Sequence, residues 1–371
     1  MQRGDNGIHV GHGRRARDGR HRQPRFQSSD VYAALDLGTN NCRLLIARRS
    51  ADGFRVIDAF SRIVRLGEGL AANGHLTEAA MSRTIDALQV CARKIRRRRV
   101  TKVRAVATEA CRRARNCDLF VARVKRITGL DLEIISNNEE AALALYGCAP
   151  LLDRDVPHAL IFDIGGGSTQ VSLLRVGRGN GAGNTCHGVT PILDAWCSIP
   201  MGVVTLAERY GGYEIAADDY RAMIDEVGHA LQPFDRDQGL DGIVGRGAVQ
   251  MLGTSGTVTT LSGINKRLPR YDRARVDGSY LDFGTVAGLT RRIVAMSYDE
   301  RVGHPCIGAD RADLVVAGCA ILDAICRTWP VGRLRVADRG LREGILFTLM
   351  SSEPVPGITN GQHGRPHGFN A

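Results

Sequence analysis

Leu160-Ile-Phe-Asp-Ile-Gly-Gly-Gly-Ser-Thr-Gln-Val-Ser-Leu-Leu174 joins two apolar runs through Asp163, three consecutive glycines, Ser168 and Thr169. Strand, glycine-rich turn, strand is the pattern of a β-hairpin. Gly165, Gly166 and Gly167 reach backbone conformations closed to other residues and leave their N–H groups bare, so the turn can wrap an oxyanion. Ser168 and Thr169 add hydroxyl donors, and Asp163 at the strand end can hold a divalent cation against that anion. Taken alone, the stretch also fits a tight hairpin with no ligand. It has an echo, however, in Ala33-Ala-Leu-Asp-Leu-Gly-Thr-Asn-Asn-Cys-Arg-Leu-Leu-Ile-Ala47. There Asp36 ends the strand, and Gly38, Thr39, Asn40 and Asn41 form the turn. The separation is too long for a solenoid repeat and suits two duplicated domains, with the hairpins facing each other across a cleft and clamping a phosphate and its metal.

The bulk composition agrees with a soluble two-domain protein. The chain has 371 residues, 43% hydrophobic and 24% charged, enough for two cores. A net charge of +11 favours polyanionic partners. With only 5% aromatic residues, few bases of single-stranded nucleic acid could be stacked, so nucleic acid is a poor candidate. Ten cysteines occur without a CxxC pair, and several lie inside apolar patterns, as small buried hydrophobes do; the expected compartment is the cytosol. No apolar run is long enough to span a bilayer.

The expected organisation is a disordered basic tail at 1–29, a first domain at 30–149, a second at 150–350 whose last helix packs back on the first, and a flexible tail at 351–371. The tail at 1–29 lacks the apolar stretch of a secretory signal, and its Arg-rich, acid-poor start only loosely resembles a transit peptide. A third strand is expected from Phe54 to Val64, a helix from Thr77 to Lys94, and a strand from Val100 to Val106. The run Arg96-Arg-Arg-Arg99 either complements a helix dipole or contacts a polyanion. The segment holding Lys266, Arg267, Arg270, Tyr271, Arg273 and Arg275 reads equally as a solvated face or as a track for a long anion. Arg178 to Asn184 reads as a Gly/Asn loop, and Ala309 to Cys326 as an apolar helix. Ser136-Asn-Asn-Glu139 fits a capping box, which leaves Glu140 in the first helical turn, where the dipole favours its ionised form and suits a base that activates water. Leu252-Gly-Thr-Ser-Gly-Thr257 is a third glycine and hydroxyl loop entering a helix, an anion site in form, with Gly253, Ser255 and Gly256 as its candidates.

The paired Asp–Gly hairpins resemble the superfamily of actin, sugar kinases and heat-shock chaperones. Several further segments are similar to the exopolyphosphatase/guanosine pentaphosphate phosphatase (Ppx/GppA) family: Arg65-Leu-Gly-Glu-Gly-Leu70, Ala107-Thr-Glu-Ala-Cys-Arg112, Glu133 to Ala141, Asp163 to Thr169, Met201-Gly-Val203, Leu252 to Thr257 and Gly340-Leu-Arg-Glu-Gly344. The resemblance runs from about Val31 to Leu349 and matches the short, two-domain form. It implies an α/β fold of two ribonuclease H-like, actin-like ATPase domains, each with a mixed central sheet, and an interdomain active site. It also implies Glu140 as the catalytic base and Arg112 as the arginine that balances developing charge. Arg65 sits on a loop near the cleft, either touching phosphate or serving an ordinary turn. Mg²⁺ is expected on Asp36 or Asp163 with Gln170 nearby, with room for a monovalent cation such as K⁺. The implied activity is exopolyphosphatase action on inorganic polyphosphate, or alternatively hydrolysis of guanosine pentaphosphate; a homodimer is allowed. A kinase of the same superfamily is a further alternative. One departure stands out: the family's Ser-Thr-Glu after the central glycines is Ser168-Thr169-Gln170 here. Loss of that charge leaves open a catalytically weakened binder of polyphosphate or nucleotide.

Overall fold

The computed structural model describes residues 30–50, 53–178 and 189–350. The expected tails at 1–29 and 351–371, and all but the start of the loop expected at 178–184, lie outside the described residues.

Two mixed sheets organise the chain. In the first, β1 (Val31–Leu37), β2 (Asn41–Ser50), β3 (Gly53–Ile63), β4 (Lys102–Ala107) and β5 (Leu132–Ile134) lie in the order β3-β2-β1-β4-β5. The first three strands pair antiparallel and the last two join β1 in parallel. The second sheet contains β6 (His158–Ile164), β7 (Thr169–Arg178), β8 (Val189–Ile199), β9 (Val249–Thr254), β10 (Tyr280–Asp282) and β11 (Arg333–Ala337), in the order β10-β11-β9-β6-β7-β8. Apart from the added β10, its connectivity repeats the first. The repetition extends to register: Asp36 faces Arg43 as Asp163 faces Gln170, and a bulge follows Ile46 as one follows Leu173. These are the two ribonuclease H-like domains that the hairpins predict.

Central strands carry apolar residues on both faces because both faces are covered. Helices Glu78–Arg97 and Cys117–Thr128 bury Met81, Ile85, Leu88, Phe120 and Val124 on one side of the first sheet. On its other side lie Leu143 of helix Asn137–Cys148 and Ile345 and Leu346 of the last helix, Leu341–Met350. Helix Asn137–Cys148 also gives Leu145 and Cys148 to the second sheet. It is therefore held by both domains. The second domain's larger core gathers helices Ala217–Gln238, Gly256–Asn265 and Val315–Thr328 around the fully buried Trp329. That third helix is shorter than the sequence reading, since residues 309–314 form turns before it.

The two helices at the domain junction touch backbone to backbone. A methyl group at Gly344 would lie 1.8 Å from the Leu143 carbonyl oxygen, and one at Gly147 would lie 2.0 Å from that of Gly340. Side chains there would drive the helices apart. Gly344→Ala is therefore expected to destabilise the chain by on the order of 3 kcal/mol, read as a lowered urea midpoint. A loss below about 0.5 kcal/mol would mean that the junction tolerates separation.

Candidate active site

Both hairpin turns close with the same hydrogen bond: Gly38 N–H to Asn41 O and Gly165 N–H to Ser168 O, each 2.9 Å. The turns also meet. A methyl group added at Gly166 would lie 3.1 Å from Asn40, and one at Gly167 would lie 3.0 Å from Thr39 Oγ1. The carbonyls of Gly165 and Gly166 accept from Val203 and Val204 N–H at 3.0 and 2.8 Å, so the start of helix Val203–Tyr210 fixes the second turn. Between the turns opens a cleft lined by Asp36, Gly38, Thr39, Asn40, Asn41, Asp163, Gly165, Gly166, Gly167, Ser168 and Gln170. Ser255 and Gly256 line it from the third loop. Ser255 takes φ 154°, a strained value for a non-glycine residue, where β9 turns into helix Gly256–Asn265.

Glu140 lines the same cleft. Ser136 Oγ accepts from Glu139 N–H at 3.2 Å, as a cap should. The reciprocal half of the expected box is absent, because Glu139 pairs with Arg104 instead. Glu140 keeps 16% of its side chain exposed, and burial pushes its carboxyl up to about 7 despite the neighbouring Arg112. Here desolvation outweighs the helix dipole. Arg112 Nη2 stands 2.8 Å from Glu140 Oε2, but Oε2 accepts no aligned hydrogen bond. The guanidinium N–H groups are directed at Glu109 Oε2, at 3.0 and 3.3 Å, and at Ile135 O, at 2.9 Å. Arg112 thus stands behind the carboxylates and outside the cleft lining, while Glu109 lines it.

Three other expected residues have different work. Gly253 packs under Phe162, whose ring would lie 2.6 Å from a methyl group there. Thr169 is buried and donates to Met201 O at 2.7 Å. Arg65, with left-handed φ 47°, reaches across to the second domain and makes a two-pronged pair with Asp313, at 2.7 and 3.0 Å. Beside it Gly69 N–H donates to Glu208 Oε1 at 3.0 Å. The Arg65 loop is a clasp between the two domains. A double-mutant cycle of Arg65→Ala and Asp313→Ala is expected to give a coupling of about 1 kcal/mol, weakening as salt rises. A coupling near zero would reduce the pair to decoration.

Sequence reasoning missed four cations inside the cleft, Arg43, Arg311, Arg339 and Arg342; a fifth, Arg273, comes from the segment read as either a solvated face or an anion track. Arg273 pairs with Glu343 and Arg339 with Asp277. Arg311 hydrogen-bonds only to Thr260 Oγ1 (3.0 Å) among the described side chains, and burial and the Arg43 charge both weaken its hold on its proton. Two arginines that repel one another across a desolvated cleft form an anion site. Arg43 could have been found by counting, since a hairpin places it opposite Asp36. Arg311 carries no local signal.

The carboxylates fit a hard cation. Burial raises the Asp36 carboxyl above its usual range and pushes that of Asp163 up to about 6, against the lowering effect of Arg43. The buried Asn40 Oδ1 has no hydrogen-bond partner. No group of three or more His, Cys, Asp or Glu capable of holding a metal occurs among the described residues. The donor set is therefore two carboxylates and amide oxygens, including the cleft-lining Gln170 opposite Asp163. It suits an ion such as Mg²⁺ that takes its remaining ligands from water and substrate phosphate.

A pH dependence follows. Glu140 and Asp163 keep protons in the folded chain at pH values where the unfolded chain has lost them. Raising pH from the ordinary carboxylate range to about 7 therefore lowers the stability of the metal-free protein. Mg²⁺, binding the ionised form, should raise Tm more at about pH 8 than at about pH 5. Equal shifts at both pH values would remove these carboxylates from the metal site.

Comparison with known proteins follows the geometry. The Ppx/GppA phosphatase family model matches residues 45–353. A "Guanosine-5'-triphosphate,3'-diphosphate pyrophosphatase" of Photobacterium profundum is 29% identical over 335 residues, covering 87% of this chain and 60% of that protein. The chain thus spans about three-fifths of that relative's length. The crystal structure of the Aquifex aeolicus PPX-GPPA enzyme aligns with TM-score 0.69 and 27% identity, covering 86% of this chain and 99% of that one. An exopolyphosphatase from Cytophaga hutchinsonii aligns with TM-score 0.74 and 25% identity, covering 86% and 97%. With two duplicated domains, their hairpin turns in contact and a family match over most of its length, the chain belongs to the Ppx/GppA phosphatase family.

Proposed function

We propose that this phosphatase is an exopolyphosphatase, removing terminal orthophosphate from inorganic polyphosphate by direct attack of water. The observation that carries the reading is a buried carboxyl, Glu140, titrating near 7 in a cleft that also holds two hairpin anion turns and the facing Arg43 and Arg311. A base works best when its pKa lies near the working pH, and burial supplies that match. Glu140 takes a proton from water as the water oxygen bonds to the terminal phosphorus. The bridging P–O bond breaks, and the shortened chain leaves as an oxyanion. The glycine turns hold the terminal phosphate in line, and Arg43 and Arg311 offset charge on the departing end. Arg112, anchored on Glu109 and the Ile135 carbonyl, holds Glu140 through their ion pair. A divalent cation held by Asp36 and Asp163, with the Gln170 amide oxygen, supplies charge neutralisation at the phosphate oxygens when bound.

A second reading is hydrolysis of guanosine pentaphosphate to tetraphosphate, which needs the same steps at a nucleotide's terminal phosphate. The activity named for the Photobacterium profundum relative favours it.

The deciding assay measures phosphate release from long-chain polyphosphate and from guanosine pentaphosphate with Mg²⁺. Wild type should release phosphate, and Glu140→Gln should be slower by roughly 10²–10⁴-fold. Activity retained in Glu140→Gln would remove it as the base. Silence in wild type with recovery in Gln170→Glu would identify a binder whose chemistry has lapsed.

A further inference from the structure

The loop that holds Arg65 hangs from the first hairpin turn. Asn40 O accepts from Val64 and Arg65 N–H at 2.8 and 3.1 Å, and Thr39 O accepts from Gly67 N–H at 3.0 Å. The left-handed φ of Arg65 is costly for a residue with a side chain, and the Arg83 guanidinium braces its carbonyl at 3.1 Å. From this anchored backbone the Arg65 side chain crosses to the second domain and grips one turn at both ends. Its guanidinium takes both carboxylate oxygens of Asp313 and lies 3.5 Å from the Asp310 carbonyl oxygen. Arg311 stands between those two points in the chain. The same turn is also held from within the second domain. There the buried Arg301 donates to the Ala312 carbonyl at 2.8 Å and to the Gly212 carbonyl at 3.3 Å.

Arg311 has little to fix it by itself. Its guanidinium bonds to one neutral partner, Thr260 Oγ1, and the charge of Arg43 acts against its own. Such a cation serves an anion only where the backbone beneath it is immobile, because a small drift costs an oriented contact most of its value. Arg301 holds the turn to its own domain, but only Arg65 ties it to Thr39 and Asn40 of the first. Neither Arg65 nor Asp313 lines the cleft. Their effect on an anion there therefore passes through Arg311.

We propose that Arg65 is a positioning residue for Arg311: by gripping the turn at Asp310 and Asp313 it sets the Arg311 guanidinium against the first hairpin turn, so two anion-binding groups from different domains act as one site. This deepens the function proposed above and rests on it only for phosphate as the anion. The fork of an arginine is required, since a lysine presents a point charge that cannot take both carboxylate oxygens in the same way.

The test is equilibrium binding of inorganic tripolyphosphate to full-length Glu140→Gln protein with Mg²⁺, measured by calorimetry with Arg65→Ala, Arg311→Met and both added. Arg65→Ala should weaken binding by at least about threefold, and should add nothing once Arg311→Met is present. An Arg65 that touched phosphate itself would add its full loss to that of Arg311→Met. An Arg65 that only stabilised the fold would leave the affinity of the folded protein unchanged. Either result overturns the inference. Asp313→Asn should reproduce the loss of Arg65→Ala, and Arg65→Lys should recover only part of it. Arg311→Met removes a buried charge without a carboxylate partner and keeps most of the side-chain bulk, which favours folding. Should it still fail to fold, Asp313→Asn decides, and affinity unchanged by that variant overturns the inference. Tripolyphosphate that does not bind the parent removes Arg311 as an anion group and the positioning role with it. Additive losses alongside phosphate release by wild type reject the positioning role alone. Coupled losses without phosphate release by wild type reject the hydrolase reading alone.

Discussion

The contact on which this structure depends is the bare backbone crossing of helices Asn137–Cys148 and Leu341–Met350. Gly344 lies against the Leu143 carbonyl, and Gly147 against Gly340. No side chain fits between them, so the helices pack at a distance only glycine permits. The first carries Glu140 and the second carries Arg342 and Glu343 in its first turn, so the crossing sets the position of Glu140 relative to the far wall of the cleft. Glu343 is 2% exposed yet ionised: Arg342, Arg273 and the Gly340 N–H outweigh the burial that opposes its charge. Its bond to Arg273 ties the last helix to the second domain, although the helix's apolar side chains pack on the first.

The cleft separates two electrostatic situations. Around Asp36, Asp163 and Glu140, burial exceeds the help of nearby cations and raises the carboxyls' hold on their protons. Around Arg43 and Arg311, no ion pair with a carboxylate forms among the described residues, although the Arg43 charge acts on Asp36 and Asp163. Each group is costly by itself, since an unpaired charge in low dielectric is poorly solvated. A phosphate chain carrying a divalent cation relieves both, because the cation answers the carboxylates and the phosphate oxygens answer the arginines. Such a site gives up folding stability in the free protein for ligand complementarity.

The duplication was legible in the sequence because two hairpins share one grammar of Asp, Gly, hydroxyl and amide, and backbone turns are local. Glu140 was legible because a helix start is local too. Arg65 stayed open between a phosphate contact and an ordinary turn because its partner, Asp313, is remote in sequence and only the folded chain brings the two together. Arg311 was missed for the same reason. Gly253 looked like part of an anion loop, but the ring of Phe162 on the adjacent strand takes the space. The upward shift of the Glu140 carboxyl turns on a quantity no motif encodes, namely how far neighbouring elements bury it.

The two sides of the cleft are joined by different physics. The junction is glycine backbone against carbonyl, a matter of shape. A second link between the domains is the Arg65–Asp313 pair with the Gly69 bond to Glu208, a matter of charge and directed hydrogen bonds. Ionic strength screens the second and leaves the first untouched. The protein is thus a jaw with a fixed pivot and a fastening graded by the surrounding electrolyte.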